Sequence, residues 1–491
     1  MAERVRPYLY YDVAVSICSQ CYRKADGKIV FQNDKVFLIK RCPEHGTEKV
    51  LVADDVEYYR RCREVFIKPP EMPKHFNTPI QWGCPYDCGL CPDHEQHSCL
   101  SLIEITDRCN LDCPICYASS GTHRQTHRSL ADVERMLDVV VRNEGEPDVV
   151  QISGGEPTIH PDFFAILDAA KRRPIRHLMV NTNGIRIATD EAFAERLATY
   201  KSGFEIYLQF DSFERNALMD MRGADLRTIR ERALARLNEL GISTTLVVTL
   251  KKGVNDHEIG RIIDFAVTQP AVRGVTFQPV QNAGRAVNFN PATDRLTLTE
   301  VRRGIYEQST HFKAADVIPV PCHPDSLAMA YAIKLGGKVI PLAGLIDPKI
   351  LIEGGRNTIM FEQDPALRQN LFRLFATNHS PESSARSLYD LLCCLPKVMA
   401  PASITYANVF RVLIVAFIDA HAFDVRSVKK SCIHIVHPDG RMIPFDTYNL
   451  FYRDELEATR LAPLRAGRDA GSLAAIGQSH HGRRDADARR S

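Results

Sequence analysis

"CPYDCGLCPDHEQHSCLSLIEITDRCNLDCPIC" spans Cys84–Cys116 and contains seven cysteines in 33 residues. Two copies of the spacing C-x3-C-x2-C lie on either side of a short β-like run, Leu102–Thr106. Cysteines two or three residues apart suit the ligands of one metal centre better than the ends of a disulfide-closed loop. The stretch therefore predicts two metal centres, one before a strand and one after it.

The composition is that of an ordinary globular protein. The chain has 491 residues, of which 45% are apolar and 25% charged, and these are typical values. A net charge of +2 predicts no strong attraction to nucleic acid. The first residues lack the pattern of a signal peptide. We therefore expect a cytoplasmic location, with any membrane contact limited to the periphery of the inner face.

The most apolar run, Val409–Ala420, is too short to span a bilayer, so it is interpreted as a buried helix or strand. The 15 cysteines are an odd number, and disulfides are disfavoured in a reducing cytoplasm. Metal binding or catalysis is therefore their expected use.

From residue 101 onward, strand-like and helix-like segments alternate. The predicted strands are Leu102–Thr106, Asp148–Ser153, His177–Thr182, Phe204–Phe210, Ser243–Leu250 and Gly274–Val280. The predicted helices are Ser129–Asn143, Pro161–Arg172, Asp190–Tyr200, Leu226–Leu240 and Asp256–Gln269. Such alternation predicts an α/β fold with a parallel sheet and right-handed crossovers. Curled, this sheet is a partial (β/α)6 barrel whose site lies at the carboxyl ends of the strands.

Other regions flank this barrel. Residues 1–100 hold eight cysteines and few apolar residues for a core of their own, which predicts a metal-stapled region. The end of the chain is rich in Ala, Arg, Gly and Asp without periodicity, which predicts a disordered tail. The expected regions are 1–83 for metal knuckles, 84–100 for an auxiliary iron–sulfur segment, 101–285 for the barrel, 286–462 for a C-terminal α+β extension and 463–491 for the tail.

The second triplet, Cys109, Cys113 and Cys116, follows the first barrel strand. Three thiolates can hold three irons of a 4Fe–4S cube and leave the fourth iron without a protein ligand. An open metal position is what catalysis needs. This triplet resembles that of the radical S-adenosylmethionine (SAM) superfamily. The resemblance implies that SAM chelates the open iron and is cleaved to a 5′-deoxyadenosyl radical, which abstracts hydrogen from a substrate.

Three further motifs end predicted strands and resemble the SAM-binding elements of the superfamily. They are "SGGEP" (Ser153–Pro157), "NTNG" (Asn181–Gly184) and "QFDS" (Gln209–Ser212). The paired glycines let the backbone approach a ligand closely, and Glu156 can accept a hydrogen bond from an ammonium group. The resemblance implies SAM contacts from Gly154, Gly155, Glu156, Asn181, Asn183, Gln209 and Asp211.

The first triplet differs because a fourth cysteine follows it. Four ligands make a closed centre, so we predict an auxiliary 4Fe–4S cluster. Its expected ligands are Cys84, Cys88, Cys91 and Cys99. A zinc site is the alternative for the same residues.

Cysteines outside this stretch predict two more centres. "CSQC" (Cys18–Cys21) and "CPEHG" (Cys42–Gly46) form a knuckle pair, for which Cys62 or His45 could be the fourth ligand. We assign Cys18, Cys21, Cys42 and Cys62 to this mononuclear site, which takes zinc or a single iron. The C-terminal cysteines are Cys322, Cys393, Cys394 and Cys432. Isolated cysteines are usually buried small hydrophobes, but in a chain so rich in clusters these four predict a third iron–sulfur cluster.

The whole arrangement resembles tetraether lipid synthases and their bacterial relatives. The residues that carry this resemblance are the N-terminal knuckle, the stretch Cys84–Cys116 and "CIHIVHPDGRMIPF" from Cys432. It implies carbon–carbon coupling of unactivated lipid alkyl chains, with a ferredoxin or flavodoxin as electron donor. Archaeal members often have a cysteine where this chain has Asp446. Relatives that methylate pterins give the first alternative, and an electron-transfer protein without a substrate gives the second.

Overall fold

The N-terminal residues form a small antiparallel sheet of four strands in sequential order. The strands are β1 (Leu9–Ile17), β2 (Lys24–Gln32), β3 (Lys35–Cys42) and β4 (Gly46–Ala53). The turn between β2 and β3 places both Asn33 and Asp34 at positive φ, which is the two-residue turn that matches strand twist. Helix α1 (Val56–Glu64) follows, and the Asp55 side chain caps its first turn. The computed structural model describes residues 6–335, 338–342, 352 and 408–467.

Six parallel strands form the centre of a second, larger sheet. They are β5 (Leu100–Glu104), β7 (Val149–Ser153), β8 (His177–Thr182), β9 (Phe204–Gln209), β10 (Thr244–Leu250) and β11 (Val272–Pro279). They lie side by side in chain order, as the right-handed crossover rule requires. The prediction of an α/β fold with six parallel strands is confirmed.

Helices connect these strands and cover the sheet. They are α2 (Leu130–Glu144), α3 (Phe163–Lys171), α4 (Ile185–Thr189), α5 (Glu191–Leu197), α6 (Arg215–Arg222), α7 (Arg227–Leu240) and α8 (Ile259–Thr268). The five predicted helices correspond to α2, α3, α5, α7 and α8, whereas the short helices α4 and α6 were not predicted. The apolar faces of helices and strands form one main core that includes Leu137, Ile152 and Phe277.

Later segments extend this sheet on both sides. After β12 (Arg285–Ala286) and helix α9 (Leu298–Gln308), the chain adds β13 (Ile318–Pro319), β14 (Leu327–Leu335), β15 (Lys338–Pro341), β16 (Val409–Val415), β17 (Ile433–Val436) and β18 (Met442–Pro444). The order is β13-β14-β16-β11-β10-β9-β8-β7-β5-β17-β18, with β15 beside β14. No strand pairing joins the two ends of this sheet in the part of the chain that the structure describes, so the barrel is partial.

The apolar run Val409–Ala420 begins as strand β16, which pairs in parallel with β11. Its residues alternate between two environments, as a strand's must. Phe410, Val412 and Ile414 are fully buried in the main core, and the residues between them line a cavity. The run is therefore a central strand, which is one of the two expected forms.

The described structure continues past residue 463, the predicted start of the tail. Residues 462–467 are helical, and Arg465 donates a hydrogen bond of 2.7 Å to the carbonyl oxygen of Tyr86. This contact orders the segment, so residue 463 is not the start of a disordered region. Residues 468–491 lie outside the described residues, and the other expected boundaries stay predictions. None of the described helices combines the length and apolarity that a membrane span requires.

Candidate active site and metal centres

The triplet Cys109, Cys113 and Cys116 lies on the loop that follows β5. Two residues of this loop form strand β6 (Ile115–Cys116), which pairs antiparallel with β12. Cys113 is buried, and Cys109 and Cys116 are partly exposed. All three line one cavity at the carboxyl ends of the parallel strands. The structure thus brings the three predicted ligands of the SAM cluster together.

The paired glycines after β7 pack against the start of the same loop. A Cβ atom on Gly154 would lie 2.3 Å from the carbonyl oxygen of Thr106, and one on Gly155 would lie 2.1 Å from that of Arg108. The amide of Gly155 donates to the Thr106 carbonyl at 2.8 Å. The glycines were expected to leave room for a ligand. In the structure, their lack of a side chain makes room for the backbone of residues 106–108, which leads to Cys109.

Glu156 lies at the bottom of this site and is 1% exposed. Its carboxylate accepts hydrogen bonds from the Thr158 amide, the Thr182 hydroxyl at 2.7 Å and the Asn183 amide at 2.8 Å. Burial raises the pKa of Glu156, although these hydrogen bonds to the carboxylate act to lower it. The side chain therefore joins the loop after β7 to the loop after β8, and it also lines the cavity.

Asn181, Asn183 and Gln209 line the cavity as predicted for SAM-binding residues. The Asn183 amide group donates to the side-chain oxygen of Asn110 at 2.7 Å, which fixes it beside the cysteine loop. The side-chain nitrogen of Gln209 lies 3.5 Å from the side-chain oxygen of Asn181. Two neighbouring strand ends thus present three amide side chains to one space.

Asp211 does not fit its predicted role as a direct SAM contact. Its side chain is 0% exposed, and its two oxygens are bound by Arg222 at 2.7 Å and Arg230 at 2.6 Å. Burial opposes ionisation, but the two guanidinium groups outweigh it and lower the pKa of Asp211 to about 2. Asp211 therefore positions Arg222, and it is Arg222 that lines the cavity.

Arg285 is a site residue that sequence reasoning missed. Its guanidinium group donates to the carbonyl oxygens of Cys113 at 2.6 Å and Ser120 at 2.7 Å. Together with the β6–β12 pairing, these bonds hold both ends of the cysteine loop. The signal in the sequence is weak, because a lone arginine after a strand has no distinctive pattern.

A second cavity lies inside the barrel beside the first. The two share Tyr117, Asn181, Gln278, Phe417 and Phe445. The rings of Phe417 and Phe445 stack with centroids 3.8 Å apart, and Tyr117 meets Phe445 edge-on at 4.9 Å. This group, the aromatic wall, separates the two spaces.

The second cavity has a volume of about 90 Å³, which is room for several water molecules. Strand β16 contributes Arg411, Leu413 and Val415 to the lining, β9 contributes Glu205 and Tyr207, and β7 contributes Gln151. Glu205 and Arg411 form an ion pair of 3.0 Å. The cavity is therefore mixed in polarity.

The chemistry of the first cavity fits a 4Fe–4S cluster with SAM. Three thiols line it, and the loop that carries them offers no fourth cysteine, so one iron would stay open. Burial raises the pKa of Cys109 to about 12, and a bound metal reverses such a shift because a coordinating thiol is deprotonated. Amide groups and backbone around the thiols offer hydrogen bonds to the polar parts of SAM.

The N-terminal knuckle groups Cys18, Cys21, Cys42 and His45, whose ligand atoms all lie within 4.8 Å of one another. The His45 Nδ1 atom lies 3.6 Å from the Cys18 sulfur and 3.5 Å from the Cys42 sulfur. Cys62 was the assigned fourth ligand, and this is corrected. It lies on α1, buried in the main core, because the helix turns this face away from the knuckle.

The predicted auxiliary set is divided between two places. Cys84 and Cys88 hydrogen-bond to each other, and Cys91 is close enough to Cys84 to interact electrostatically. Cys99 instead lies with Cys322 and Cys432, and the three sulfurs are within 4.8 Å of one another. The assignment of Cys99 to the first set is therefore corrected. Cys393 and Cys394, predicted for the C-terminal cluster, lie outside the described residues.

Two family models match parts of the chain. The model described as "Radical SAM superfamily" matches residues 103–266, the segment that holds the cysteine triplet and all the motifs assigned to SAM. The model described as "HMPTM N-terminal zinc ribbon domain" matches residues 10–54, which contain the four knuckle ligands. Both matches fall on sites that the geometry also identifies.

One curated relative is similar over nearly the whole chain. The 7,8-dihydro-6-hydroxymethylpterin dimethyltransferase of Methanocaldococcus jannaschii is 30% identical over 492 residues, which is 92% of this chain and 96% of that protein. The GTP 3′,8-cyclase of Syntrophomonas wolfei is 30% identical over 38% of this chain and 57% of its own length. A crystal structure of Streptococcus suis SuiB bound to S-adenosylmethionine is 19% identical, covers 41% of this chain and 44% of its own, and has a TM-score of 0.33.

Proposed function

This chain belongs to the radical SAM superfamily and to the same family as the Methanocaldococcus protein, and on that premise we propose that it methylates a reduced pterin. The class of enzyme follows from the family. The substrate is the proposal, and it takes up the alternative of pterin methylation in place of lipid coupling. The similarity to a pterin dimethyltransferase over 92% of the chain supports it.

When bound, the cluster and SAM would supply a 5′-deoxyadenosyl radical that takes one hydrogen atom from a substrate carbon. A second SAM would supply the methyl group and leave as S-adenosylhomocysteine, and the external donor would supply the two electrons that the exchange consumes. The protein's own residues hold and shield the reactants. Arg285 and β12 fix the cysteine loop, and Glu156 fixes the loops around it. The aromatic wall of Tyr117, Phe417 and Phe445 gives both cavities an apolar surface, and apolar surface limits the water around a reactive radical.

The observation that carries the proposal is a group of polar side chains in the second cavity, whose surface is otherwise mainly apolar. Gln151, Asn181, Tyr207 and Gln278 all face this space, and Gln278 donates to the Tyr207 hydroxyl at 3.2 Å. A pterin offers ring nitrogens, an amino group and a carbonyl to such groups. It also offers a flat ring that can stack on the aromatic wall.

A lipid chain would leave the polar groups of this lining without hydrogen bonds. Packing an alkyl chain against buried amides and a hydroxyl removes their water without replacing its hydrogen bonds, and each such group costs about 1–3 kcal/mol. The apolar part of the lining comes in part from Leu413 and Val415 of β16. Arg411, on the same face of β16, brings a charge into this lining and forms an ion pair with Glu205.

Reduction of the cluster needs an electron from outside. We propose a low-potential donor such as ferredoxin or flavodoxin, because Cys109 and Cys116 are partly exposed and an electron has only a short path to them.

The test is anaerobic incubation of the reconstituted protein with SAM, reductant and either a reduced pterin or a terminally deuterated phospholipid. We expect 5′-deoxyadenosine and a pterin heavier by one or two methyl groups. A coupled lipid product with deuterium in 5′-deoxyadenosine, and no methylated pterin, would overturn the proposal.

Two variants make this test sharper. Cys113→Ser is expected to abolish 5′-deoxyadenosine formation, and Cys62→Ser, which alters a core cysteine, is its control. Gln151→Leu changes only the second cavity, since Gln151 does not line the first. We expect it to raise the KM for the pterin at least about tenfold and to leave the Kd for SAM unchanged.

A further inference from the structure

One loop carries a side chain of both cavities and is held from outside the barrel. Residues 416–422, here called the 417 loop, follow β16 and form neither helix nor strand. Phe417 lines the SAM cavity and the second cavity, and it stacks on Phe445 in the aromatic wall. The contacts that fix this loop therefore also fix a surface that the two cavities share.

A buried lysine of the N-terminal sheet reaches the 417 loop. Lys40 lies on β3 and is 2% exposed. Its ammonium group donates to the carbonyl oxygens of Ala420 at 2.6 Å and His421 at 2.9 Å, and a carboxylate oxygen of Glu48 lies 3.4 Å from it. These three acceptors match the three N–H bonds of an ammonium group. Because a buried charge is costly without such partners, the lysine is matched to this loop.

A carboxylate of the same sheet holds the end of the loop. Glu48 lies on β4, and one of its oxygens is 2.9 Å from the Nδ1 atom of His421. Its other oxygen accepts from the Ser19 hydroxyl at 2.9 Å. Since the carboxylate fixes the proton on Nδ1, the Nε2 atom of His421 is left to accept from the side-chain nitrogen of Asn282 at 3.3 Å. His421 thus connects β4 to the segment that follows β11.

Barrel residues fix the middle of the loop. The Ile418 amide donates to Asp446 at 2.6 Å, and the Ile418 carbonyl accepts from the side chain of Gln281 at 2.8 Å. Gln281 itself lines the SAM cavity. The Asp419 carboxylate accepts from two amides of the loop, at 3.0 and 3.2 Å. Side chains from other segments therefore set the path of a loop that has no regular structure of its own.

We propose that Lys40 and Glu48 are positioning residues for the reaction, because they set the place of Phe417 through the 417 loop. Its effect on turnover rests on the proposed function, in which Phe417 lies against the substrate. Without the Lys40 ammonium group, two buried carbonyl oxygens lose their donors. The loop then shifts toward water, and Phe417 shifts with it. A displacement on the order of 1 Å is enough to misplace a substrate relative to its reaction partner.

The first test follows the loop itself and needs no substrate. Deuterium exchange of the full-length protein, read by mass spectrometry over residues 416–422, reports the amides that bond to Asp446 and Asp419. Lys40→Met is expected to speed their exchange at least about tenfold. Lys49→Met is the matched control, because Lys49 lies on the same sheet but contacts Gln32 and the ring of Phe37. Equal exchange rates in the two variants would overturn the proposal.

Glu48 supplies a second pair of variants, which keeps the exchange test decisive if Lys40→Met fails to fold. Glu48→Ala removes the acceptor of His421 and is expected to speed exchange in the loop. Glu48→Gln keeps a side-chain oxygen for His421 and is expected to restore most of the protection. Exchange in Glu48→Ala as slow as in wild type would show that the sheet does not hold the loop.

The second test asks whether the loop acts on the reaction through Phe417. We expect Lys40→Met to raise the KM for the reduced pterin and to raise the ratio of 5′-deoxyadenosine to methylated pterin at least about threefold, because a radical beside a misplaced substrate is lost more often. Phe417→Leu should raise the same ratio. If both changes act through one side chain, Lys40→Met adds little in the Phe417→Leu background.

The double variant separates positioning from a general loss of stability. Effects of Lys40→Met and Phe417→Leu that multiply would overturn the role of Lys40 in placing Phe417. No methylated pterin from the wild-type protein would instead refute the proposed substrate, and the exchange test would then decide the role of Lys40 and Glu48 by itself.

Discussion

Glu104 and Arg453 form a buried bidentate ion pair, with nitrogen–oxygen distances of 2.7 and 3.0 Å, although 349 positions separate them in the sequence. Glu104 ends β5, the strand before the cysteine loop, and Arg453 belongs to the C-terminal extension. The guanidinium group also lies over the ring of Tyr117, 5.5 Å from its centroid. The pair therefore connects the extension to the strand that positions the SAM cluster.

Breaking this pair is expected to destabilise the fold strongly. Arg453→Met leaves a buried carboxylate without its counter-charge, which costs about 3–5 kcal/mol. Adding Glu104→Gln is expected to recover most of the loss, because both charges are then gone. Anaerobic urea unfolding measures these changes. Arg60→Ala, which removes an exposed ion pair with Glu64, is the control, with an expected cost below about 1 kcal/mol. Additive effects of Arg453→Met and Glu104→Gln would contradict the coupling.

Gly155→Ala is expected to lower cluster occupancy and SAM affinity by at least about tenfold. The new Cβ would lie 2.1 Å from the Arg108 carbonyl oxygen, so the backbone before Cys109 must move. Iron content and SAM binding by equilibrium dialysis are the measurements. Gly467→Ala is the comparison, since nothing lies within 4 Å of a Cβ at that glycine. Equal SAM affinity in the two variants would show that the loop tolerates the side chain.

Arg285→Ala is expected to reduce the iron retained at the SAM cluster, because the carbonyls of Cys113 and Ser120 lose their donors. Arg285→Lys should restore part of this iron retention, since a lysine ammonium group is less able than a guanidinium group to donate to both carbonyl oxygens at once. The decay of the cluster's visible absorbance under a chelator measures the effect. Arg232→Ala, on the exposed face of α7, is expected to behave as wild type. An equal decay rate in Arg285→Ala and wild type would show that strand pairing alone orders the cysteine loop.

His45→Ala is expected to release the N-terminal metal, and Cys62→Ala is expected to keep it. His45 faces the sulfurs of Cys18 and Cys42, whereas Cys62 is 4% exposed within the core. Cys62→Ala should instead lower the free energy of unfolding by about 1 kcal/mol. Metal analysis of the two variants separates the roles. Loss of the ion in Cys62→Ala alone would restore the original assignment.

Asp446 is expected to make stability depend on pH. Burial raises its pKa from 3.8 to about 6, against hydrogen bonds from the Ile418 amide and the Ser431 hydroxyl. Between these values the folded protein keeps a proton that the unfolded chain has lost, so stability falls as the pH rises through about 4 to 6. Above pH 6 the penalty is constant, and Asp446→Asn is expected to remove it, a gain on the order of 2 kcal/mol at pH 7. Urea midpoints across this range measure the effect, and a less stable Asp446→Asn protein at pH 7 would contradict it.

The barrel could be predicted closely because its information is local. Each helix and strand carries its own periodicity, so α7 (Arg227–Leu240) begins one residue from the predicted Leu226. The SAM motifs are local too, since each directly follows a strand. The roles of Glu156 and Asp211 could not be predicted, because their partners come from other loops.

The ligands of the metal centres could not all be predicted from local sequence patterns. Cys99 follows Cys91 closely in sequence, and proximity suggested one cluster. The pairing of β5 with β17 instead carries Cys99 to Cys432. That pairing joins segments far apart in the chain, and no pattern within either strand specifies its partner. The role of Arg285 could not be predicted for the same reason, because its contacts with the cysteine loop form only when β6 pairs with β12.

The position of β17 beside β5 also constrains how the protein is made. On the ribosome, β5 emerges early, but one of its edges has no partner until residues 433–436 have been translated. During that interval the unpaired strand can join another nascent chain. Synthesis in a cell therefore favours chaperones that shield this edge, and a message truncated before codon 433 would yield an insoluble product even though every residue of the SAM cavity's cysteine loop is present.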